Sequence, residues 1–174
     1  MKYTLLLISF LVAIVTFGQN SLPPTPELAY ITEFKFVLDP AHTVGQTPTG
    51  LRRIVPIVDG TASGPKLNGK VLAGGSDWQL IRKDGTAEIE ALSQMVTEDG
   101  VILYLKNESI RVAKPEVAAR LAKGEVVLAS EYYFKGRLKI EAPEGKYYWM
   151  NNAVFICQGV KNPKDVSLFV WQVL

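Results

Sequence analysis

The sequence is poor in the two residue types that most often build metal sites and thiol-based active sites. Its 174 residues include one cysteine, Cys157, and one histidine, His42. A lone cysteine excludes an intrachain disulfide, even in an oxidising compartment. Because Cys157 follows the apolar run Ala153-Val154-Phe155-Ile156, we expect a buried thiol rather than a nucleophile. The missing histidine pairs argue against a zinc site.

His42 itself allows two interpretations. It lies three residues after Asp39 in a polar segment, so the two side chains could form a local acid–base pair. The alternative is a solvated loop residue. No serine lies in the sequence context of a hydrolase nucleophile turn, which argues against a Ser–His–Asp site.

The chain also has little excess charge. It carries 19 Lys and Arg against 17 Asp and Glu, a formal net charge of +2. Removal of residues 1–18 would take away Lys2 and no acid, lowering the charge from +2 to +1. Such a chain has no broad field to attract nucleic acid or anionic lipid, so we expect no nucleic-acid partner.

Nucleotide-binding motifs are missing as well. The segment Gly64-Pro65-Lys66-Leu67-Asn68-Gly69-Lys70-Val71 approaches a phosphate-binding loop, but Val71 stands where a Ser or Thr should hold magnesium. No helix is expected after it, and there is no dinucleotide-binding glycine fingerprint. We therefore expect a strand-connecting turn here, and neither a cofactor nor a bound metal.

Long apolar runs are limited to one, at residues 5–17, which follows the basic residue Lys2 and precedes Gly18. It is shorter than the ~20 residues that span a bilayer and has the layout of a secretory signal. We expect cleavage near Gly18–Gln19, export to the periplasm or the medium, and no stable membrane insertion afterwards. An uncleaved anchor is the alternative.

The expected organisation is a signal peptide at residues 1–18, a flexible Pro-rich leader at 19–27, and a single domain at 28–174. Period-two alternation predicts strands through most of that domain. They fall at 30–38, 52–58, 70–73, 76–83, 87–96, 101–106, 131–140, 147–158 and 166–173, with a loop at 39–50.

Short connections order these strands. Asp84-Gly85 and Asp99-Gly100 predict consecutive hairpins with type I′ turns, in which both central residues have positive φ. One short helix is expected to begin at Lys114-Pro115-Glu116 and end near Gly124. The fold class is therefore all-β. A sandwich and a closed barrel both fit, and we favour an up-and-down meander closed into a barrel of about eight strands, because closure removes exposed edges.

The candidate site consists of polar residues that lie among apolar residues on the predicted strands. Alternation puts Asp77 and Gln79 on one face of a strand and Trp78 on the other; Glu88 and Glu90 share a face of the next strand. Trp149 and Asn151 share a face with Tyr147. If these faces point inward, carboxylates in an apolar lumen would have raised pKa values and suit proton transfer. Otherwise Asp77 caps a turn and the glutamates face water.

Several stretches resemble the family called domain of unknown function 3237. They are Thr47-Pro48-Thr49-Gly50-Leu51-Arg52, Gly64-Pro65-Lys66-Leu67-Asn68-Gly69, Gly74-Gly75-Ser76-Asp77-Trp78, Arg82-Lys83-Asp84-Gly85, Asp99-Gly100, Glu131-Tyr132-Tyr133-Phe134 and Trp149-Met150-Asn151. The resemblance implies a β-barrel of the type shared with allene oxide cyclase-like proteins, and no settled activity.

The chain departs from the family pattern at some positions. Ala91-Leu92-Ser93 replaces an Ala-Arg-Tyr run, Lys135 and Lys161 stand where Arg is usual, and Glu90 replaces Asp. A polar network that used the missing Arg and Tyr is not intact here. Arg52, Asp77, Trp149 and Asn151 keep the pattern.

Three functions fit these observations. The barrel could bind a small apolar or aromatic molecule, with Arg52, Trp78, Tyr132, Trp149 and Asn151 as ligand-binding residues. Trp78, Trp149, Tyr132, Tyr133 and Phe134 would then form an aromatic pocket.

The second function is a cofactor-free cyclase, isomerase or lyase. Asp77 or Glu90 would move a proton, Arg52 would hold an oxyanion, and Trp149 would pack the substrate. The third is a barrel filled by its own side chains and used for protein contacts. The sequence leaves the oligomeric state open.

Overall fold

The computed structural model describes residues 23–174; the expected signal peptide and the start of the leader, residues 19–22, lie outside them. Within this part of the chain there are nine strands and one α-helix, α1 (Pro115–Ala122). The strands are β1 (Leu28–Leu38), β2 (His42–Thr47), β3 (Gly50–Ser63), β4 (Gly69–Ile81), β5 (Ala87–Thr97), β6 (Ile102–Ala113), β7 (Tyr132–Glu141), β8 (Val154–Lys161) and β9 (Asp165–Val173). Two 3₁₀ turns, Ala129–Glu131 and Tyr148–Asn152, complete the described elements.

The strands close into an antiparallel barrel. From β2 to β9 each strand pairs with the next along the chain, and β1 pairs with both β9 and β3. Eight strands therefore form the closed wall. The ninth, β2, pairs with the first part of β3, while β1 pairs with its second part, so β2 extends the wall at one end. The all-β fold, the closed meander and the single short helix are confirmed.

Hairpins form at both Asp-Gly sequences, but the expected turn type is wrong. Only the glycines have positive φ, +83° at both Gly85 and Gly100. In the first turn the Gly85 amide donates to the carbonyl of Arg82 at 3.0 Å, and Asp84 Oδ1 accepts from the Thr86 amide at 2.9 Å. This is a type I turn followed by a left-handed glycine, which places one extra residue in the hairpin.

Some element boundaries differ from those expected. β2 lies inside the expected loop 39–50, because pairing with β3 organises a polar segment that has no apolar alternation. The expected strands at 70–73 and 76–83 are one strand, β4, with a register shift between Leu72 and Ser76. The segment Tyr148–Asn152 is a 3₁₀ turn, so β8 starts only at Val154.

The interior is filled unevenly along the barrel axis. At one end a large apolar cluster packs solidly, with Phe34, Met95, Leu103, Met150 and Phe155 almost completely buried. Towards the other end a smaller cluster places Val117 and Leu121 of α1 against the wall. The space between these clusters is where the candidate site lies. None of the helices in residues 23–174 is long and apolar enough to cross a membrane.

Candidate lumen site

The lumen contains a cavity of about 730 Å³. Its rim is formed by the loop at Asp39–Ala41, the turn at Gly85, one side of α1 and the turn at Pro163–Lys164. Its walls are mainly aliphatic and aromatic side chains: Phe36, Leu51, Val55, Ile57, Ile89, Leu105, Phe134, Leu138 and Leu168. A space of this size lies within the range of small-molecule sites, roughly 300–1,000 Å³.

A chain of hydrogen bonds crosses one wall of the cavity. Arg53 Nη2 donates to Gln79 Oε1 at 2.5 Å, and Gln79 Nε2 donates to Asp77 Oδ2 at 2.5 Å. The register that pairs Arg53 with Gln79 across β3 and β4 puts these side chains on the same inner face. The amide thus connects a guanidinium to a carboxylate, and its orientation is fixed by both.

Asp77 is only 8% exposed. Its Oδ1 has no hydrogen-bond partner among residues 23–174, and neither has Arg53 Nε. Burial raises the pKa of Asp77 to about 6, although the Gln79 hydrogen bond and the charges of Arg111 and Arg53 act in the opposite direction. A carboxyl group with such a pKa exists in both protonation states near neutral pH, so it can accept or donate a proton there.

Two further cations face the same space. Arg111 on β6 and Lys161 at the end of β8 both line the cavity. The guanidinium carbon of Arg111 lies 5.9 Å from the centre of the Phe134 ring, a cation–π contact. Burial and neighbouring positive charges lower the pKa of both groups: Arg53 acts on Arg111, and Arg111 and Arg53 act on Lys161. Together with Arg53, these groups give the lumen more cations than carboxylates despite its apolar walls.

Gly159 on β8 makes room for the aromatic wall. A Cβ at this position would come within 2.6 Å of Cζ of Phe134 and closer still to other ring atoms. The Phe134 ring can therefore approach the backbone of β8 closely. A larger residue at Gly159 would push the ring into the lumen.

Cys157 is buried, as expected, and lies next to polar side chains of β6. It is 3% exposed, and its Sγ lies 3.3 Å from Oδ1 of Asn107 and 3.7 Å from Oγ of Ser109. Burial raises the pKa of the thiol to about 11. The thiolate is therefore scarce at neutral pH, which agrees with a structural role.

The structure places three of the expected site residues on the outer surface. Glu90 forms an ion pair with Lys106 at 3.0 Å and is 54% exposed at its side chain. Trp78 is 44% exposed, and Arg52 lines an outer groove together with it. Strand alternation explains all three, since each directly neighbours a residue that points inward. Of the two expected carboxylates, only Asp77 faces the lumen.

The other expected ligand-binding residues lie elsewhere. Tyr132 is buried in the cluster beneath α1, and its hydroxyl accepts from the Lys161 amide at 2.9 Å. Trp149 is partly exposed in a 3₁₀ turn beside Phe155. Asn151 binds the backbone amide of Ala142 through Oδ1 and its carbonyl through Nδ2. Neither Trp149 nor Asn151 lines the cavity.

His42 and Asp39 are not brought into a shared site. His42 is exposed at the start of β2, while Asp39 lies at the rim. The second interpretation of His42, a solvated residue, describes its position.

Sequence reasoning missed Arg53, Arg111 and Lys161 as lumen residues. Arg53 directly follows the predicted residue Arg52, and both faces of their strand carry apolar residues, so alternation alone does not decide which of the two points inward. Arg111 lies beyond the expected end of its strand at residue 106. Extending the alternation of Leu103 and Leu105 through Asn107 would have placed Arg111 on the inner face.

The fold and the cavity together describe a small closed β-barrel with a lumen of ligand size. A family model described as "protein of unknown function (DUF3237)" matches residues 26–173. The chain belongs to this family, and the resemblance inferred from the sequence motifs is confirmed.

Several known proteins are similar to this chain in sequence or in structure. A UPF0311 protein of Clostridium acetobutylicum is 34% identical over 150 residues, covering 84% of this chain and 95% of the relative. The crystal structure of a conserved protein of unknown function from Rhodopseudomonas palustris is similar with a TM-score of 0.85 and 32% identity, over 87% of this chain and all of that one. A β-barrel-like protein from Acinetobacter baumannii gives a TM-score of 0.76 with 31% identity, over 88% and 99% of the two chains.

Proposed function

We propose that this protein is an exported barrel that binds a small, largely apolar or aromatic molecule in its lumen. The observation that carries the proposal is the cavity of about 730 Å³, walled by apolar side chains around a few converging polar groups. Ligand sites are built in this way: apolar area supplies affinity and a small number of polar groups fixes orientation. The open lumen also favours binding over a barrel filled by its own side chains.

A lumen-filling variant tests the location of the site. Ala91 lines the cavity, and Gln94 is exposed on the same strand. The protein is purified from its native host and its retained small molecules are identified by mass spectrometry. We expect Ala91→Phe to lose the molecule that the unaltered protein and the control Gln94→Phe retain. Equal retention by Ala91→Phe would place binding outside the lumen, and no retained molecule in any form would contradict the proposal.

A second candidate function is a cofactor-free cyclase, isomerase or lyase. It is favoured by the buried Asp77, whose Oδ1 is unpartnered in the described part of the chain and whose pKa is close to neutral. Asp77 would move the proton, and Arg53 or Arg111 would stabilise the oxyanion. For a molecule identified as above, Asp77→Asn should abolish turnover while binding persists. Undiminished turnover would exclude an acid–base role for Asp77.

Export is supported by the basic start, short apolar run and small residue within residues 1–18. Intact-mass measurement of the protein recovered outside the cytoplasm tests it. A mass that corresponds to cleavage near Gly18–Gln19 is expected, and retention of Met1 would contradict cleavage.

A further inference from the structure

The cations of the lumen outnumber its carboxylates. Arg53, Arg111 and Lys161 line the cavity together with one deeply buried carboxylate, Asp77. At the rim the exposed Asp39 and Lys164 have opposite charges. The inner groups and the rim together contain four cations and two carboxylates, an excess of two positive charges. The formal net charge of the whole chain is also only +2.

None of the three inner cations is neutralised by an ion pair. Among residues 23–174, no carboxylate lies within 4.0 Å of the charged nitrogens of Arg53, Arg111 or Lys161. Arg53 donates to the neutral Gln79, and Lys161 donates to the carbonyl of Asn162. The outer surface of residues 23–174 differs, since eight ion pairs there bring opposite charges within 3.5 Å.

Unpaired cations in such a place are unfavourable for the stability of the folded protein. Removing a charge from water costs free energy that an opposite charge normally offsets. Here the charged groups facing the cluster from neighbouring elements are few: Asp77 from β4, and Asp165 from β9, which is shared with Lys35 at 3.8 Å. The repulsion among Arg53, Arg111 and Lys161 is therefore only partly relieved by the protein itself.

An anion in the lumen would offset this repulsion. Guanidinium groups bind carboxylates and other planar, delocalised oxyanions through paired N–H donors. Phe134, whose ring centre lies 5.9 Å from the guanidinium carbon of Arg111, and the aliphatic walls would contact the apolar body of the same molecule. A fully hydrated inorganic anion would make no apolar contact with those walls. A neutral apolar molecule would provide no negative charge for the three cations.

We propose that the ligand of the lumen is an organic anion, an apolar or aromatic body bearing a carboxylate or enolate-type oxygen, with its negative charge held by Arg53, Arg111 and Lys161. This inference rests on the proposed function, because it assumes that the lumen binds a small molecule. It adds the charge of that molecule and the side chains that select it.

Two probes of nearly equal shape distinguish the contribution of the negative charge to binding from that of the apolar body. Binding of 2-naphthoate and of the neutral 2-naphthamide to the mature protein is measured by isothermal titration calorimetry at pH 7.5. We expect the naphthoate to bind at least about tenfold more tightly, because it alone provides the negative charge. Arg111→Met should reduce this preference at least about fivefold by weakening naphthoate binding, with little effect on naphthamide.

Arg137→Met is the matched control, since Arg137 lies on the outer surface, 75% exposed at its side chain. It should leave both affinities unchanged. Circular dichroism and thermal unfolding establish that each variant is folded. Lys161→Met provides a second variant at the edge of the cluster, used in the same way if Arg111→Met does not fold.

The outcomes distinguish the inference from the function on which it rests. Equal affinity for the two probes, or a preference for naphthoate unchanged in both lumen variants, would overturn the anion assignment while keeping the lumen as a binding site. Binding of neither probe would contradict the proposed function and the anion assignment together. A preference that Arg137→Met loses and both lumen variants keep would place the anion on the outer surface and overturn the assignment.

Discussion

Replacing Asp77 by asparagine should stabilise the protein at neutral pH and leave its stability almost unchanged in acid. The two side chains have nearly the same shape, and the asparagine oxygen can still accept the hydrogen bond that Gln79 Nε2 donates to Asp77 Oδ2. The substitution therefore removes the buried charge without leaving a cavity. What it changes is the free energy needed to ionise a carboxyl group that is 8% exposed.

The magnitude follows from the pKa. Asp77 has a pKa of about 6 in the folded protein, compared with an ordinary value of 3.8. Below about pH 3.8 the carboxyl of Asp77 is protonated in both the folded and the unfolded state, so it does not lower the stability. Between the two values the unfolded chain loses its proton first, so stability falls as pH rises. Above about 6 the full penalty is present: 6 minus 3.8, at about 1.4 kcal/mol for each pH unit, is about 3 kcal/mol.

The assay is urea unfolding of the wild-type protein and Asp77→Asn at several pH values from 4 to 8. We expect the variant to gain up to about 3 kcal/mol at pH 7 and close to nothing at pH 4, with the change centred between the two pKa values. A difference that does not vary with pH, or a variant less stable than wild type at pH 7, would refute the reasoning.

Asp99→Asn serves as a control, because it should change the stability at neutral pH in the opposite direction to Asp77→Asn. The carboxylate of Asp99 accepts hydrogen bonds from Thr97 Oγ1 at 2.6 Å, Tyr147 Oη at 2.8 Å and Lys146 Nζ at 2.9 Å. These donors hold the pKa of Asp99 well below its usual range. Its contribution is therefore present above the unfolded-state pKa and lost as pH falls through the folded-state value, so Asp99→Asn should be destabilising mainly at neutral pH.

Two further predictions concern the wall of the barrel. Gly136→Ala should destabilise the protein by about 3 kcal/mol or more in urea unfolding. The added Cβ would lie 2.7 Å from Cα of Ser109 and closer still to the carbonyl oxygen of Glu108. A loss of stability below about 1 kcal/mol would show that β6 and β7 can separate easily. Cys157, whose pKa is raised to about 11 by burial, should react with a thiol reagent at pH 8 only in the unfolded protein, and rapid labelling of the native form would contradict its burial.

Local sequence patterns predicted the helix, the hairpins and most strands of this fold, because these elements depend on neighbouring residues alone. Proline at the start of α1 and Gly124, with φ +74°, just after its end act within one helical turn. The Asp-Gly hairpins form because one left-handed glycine suffices in each turn. The expected type I′ geometry failed because it requires positive φ at the aspartate too, and none of the described non-glycine residues adopts it.

Which strand face points inward was harder to predict, and the site depends on it. Alternation allows Asp77 to face the lumen, where the structure has it, but it indicates Arg52 as a ligand-binding residue, whereas Arg53 lies inside. A one-residue difference reverses the face of a strand, and both faces of β3 are mixed in polarity. Glu90 lies outside for the same reason. For Trp149 no strand face exists, because its segment is a 3₁₀ turn.

The sequence by itself determined most of the strands, the hairpins at the Asp-Gly turns and the short helix, since alternation, turn residues and helix ends are encoded within a few neighbouring positions. Only the tertiary structure decided that Arg53, Asp77, Arg111 and Lys161, from four different strands, share one cavity. Their proximity results from the register of strand pairing and from closure of β1 onto β3. Those contacts join residues far apart in the chain, and no local pattern of side chains specifies them.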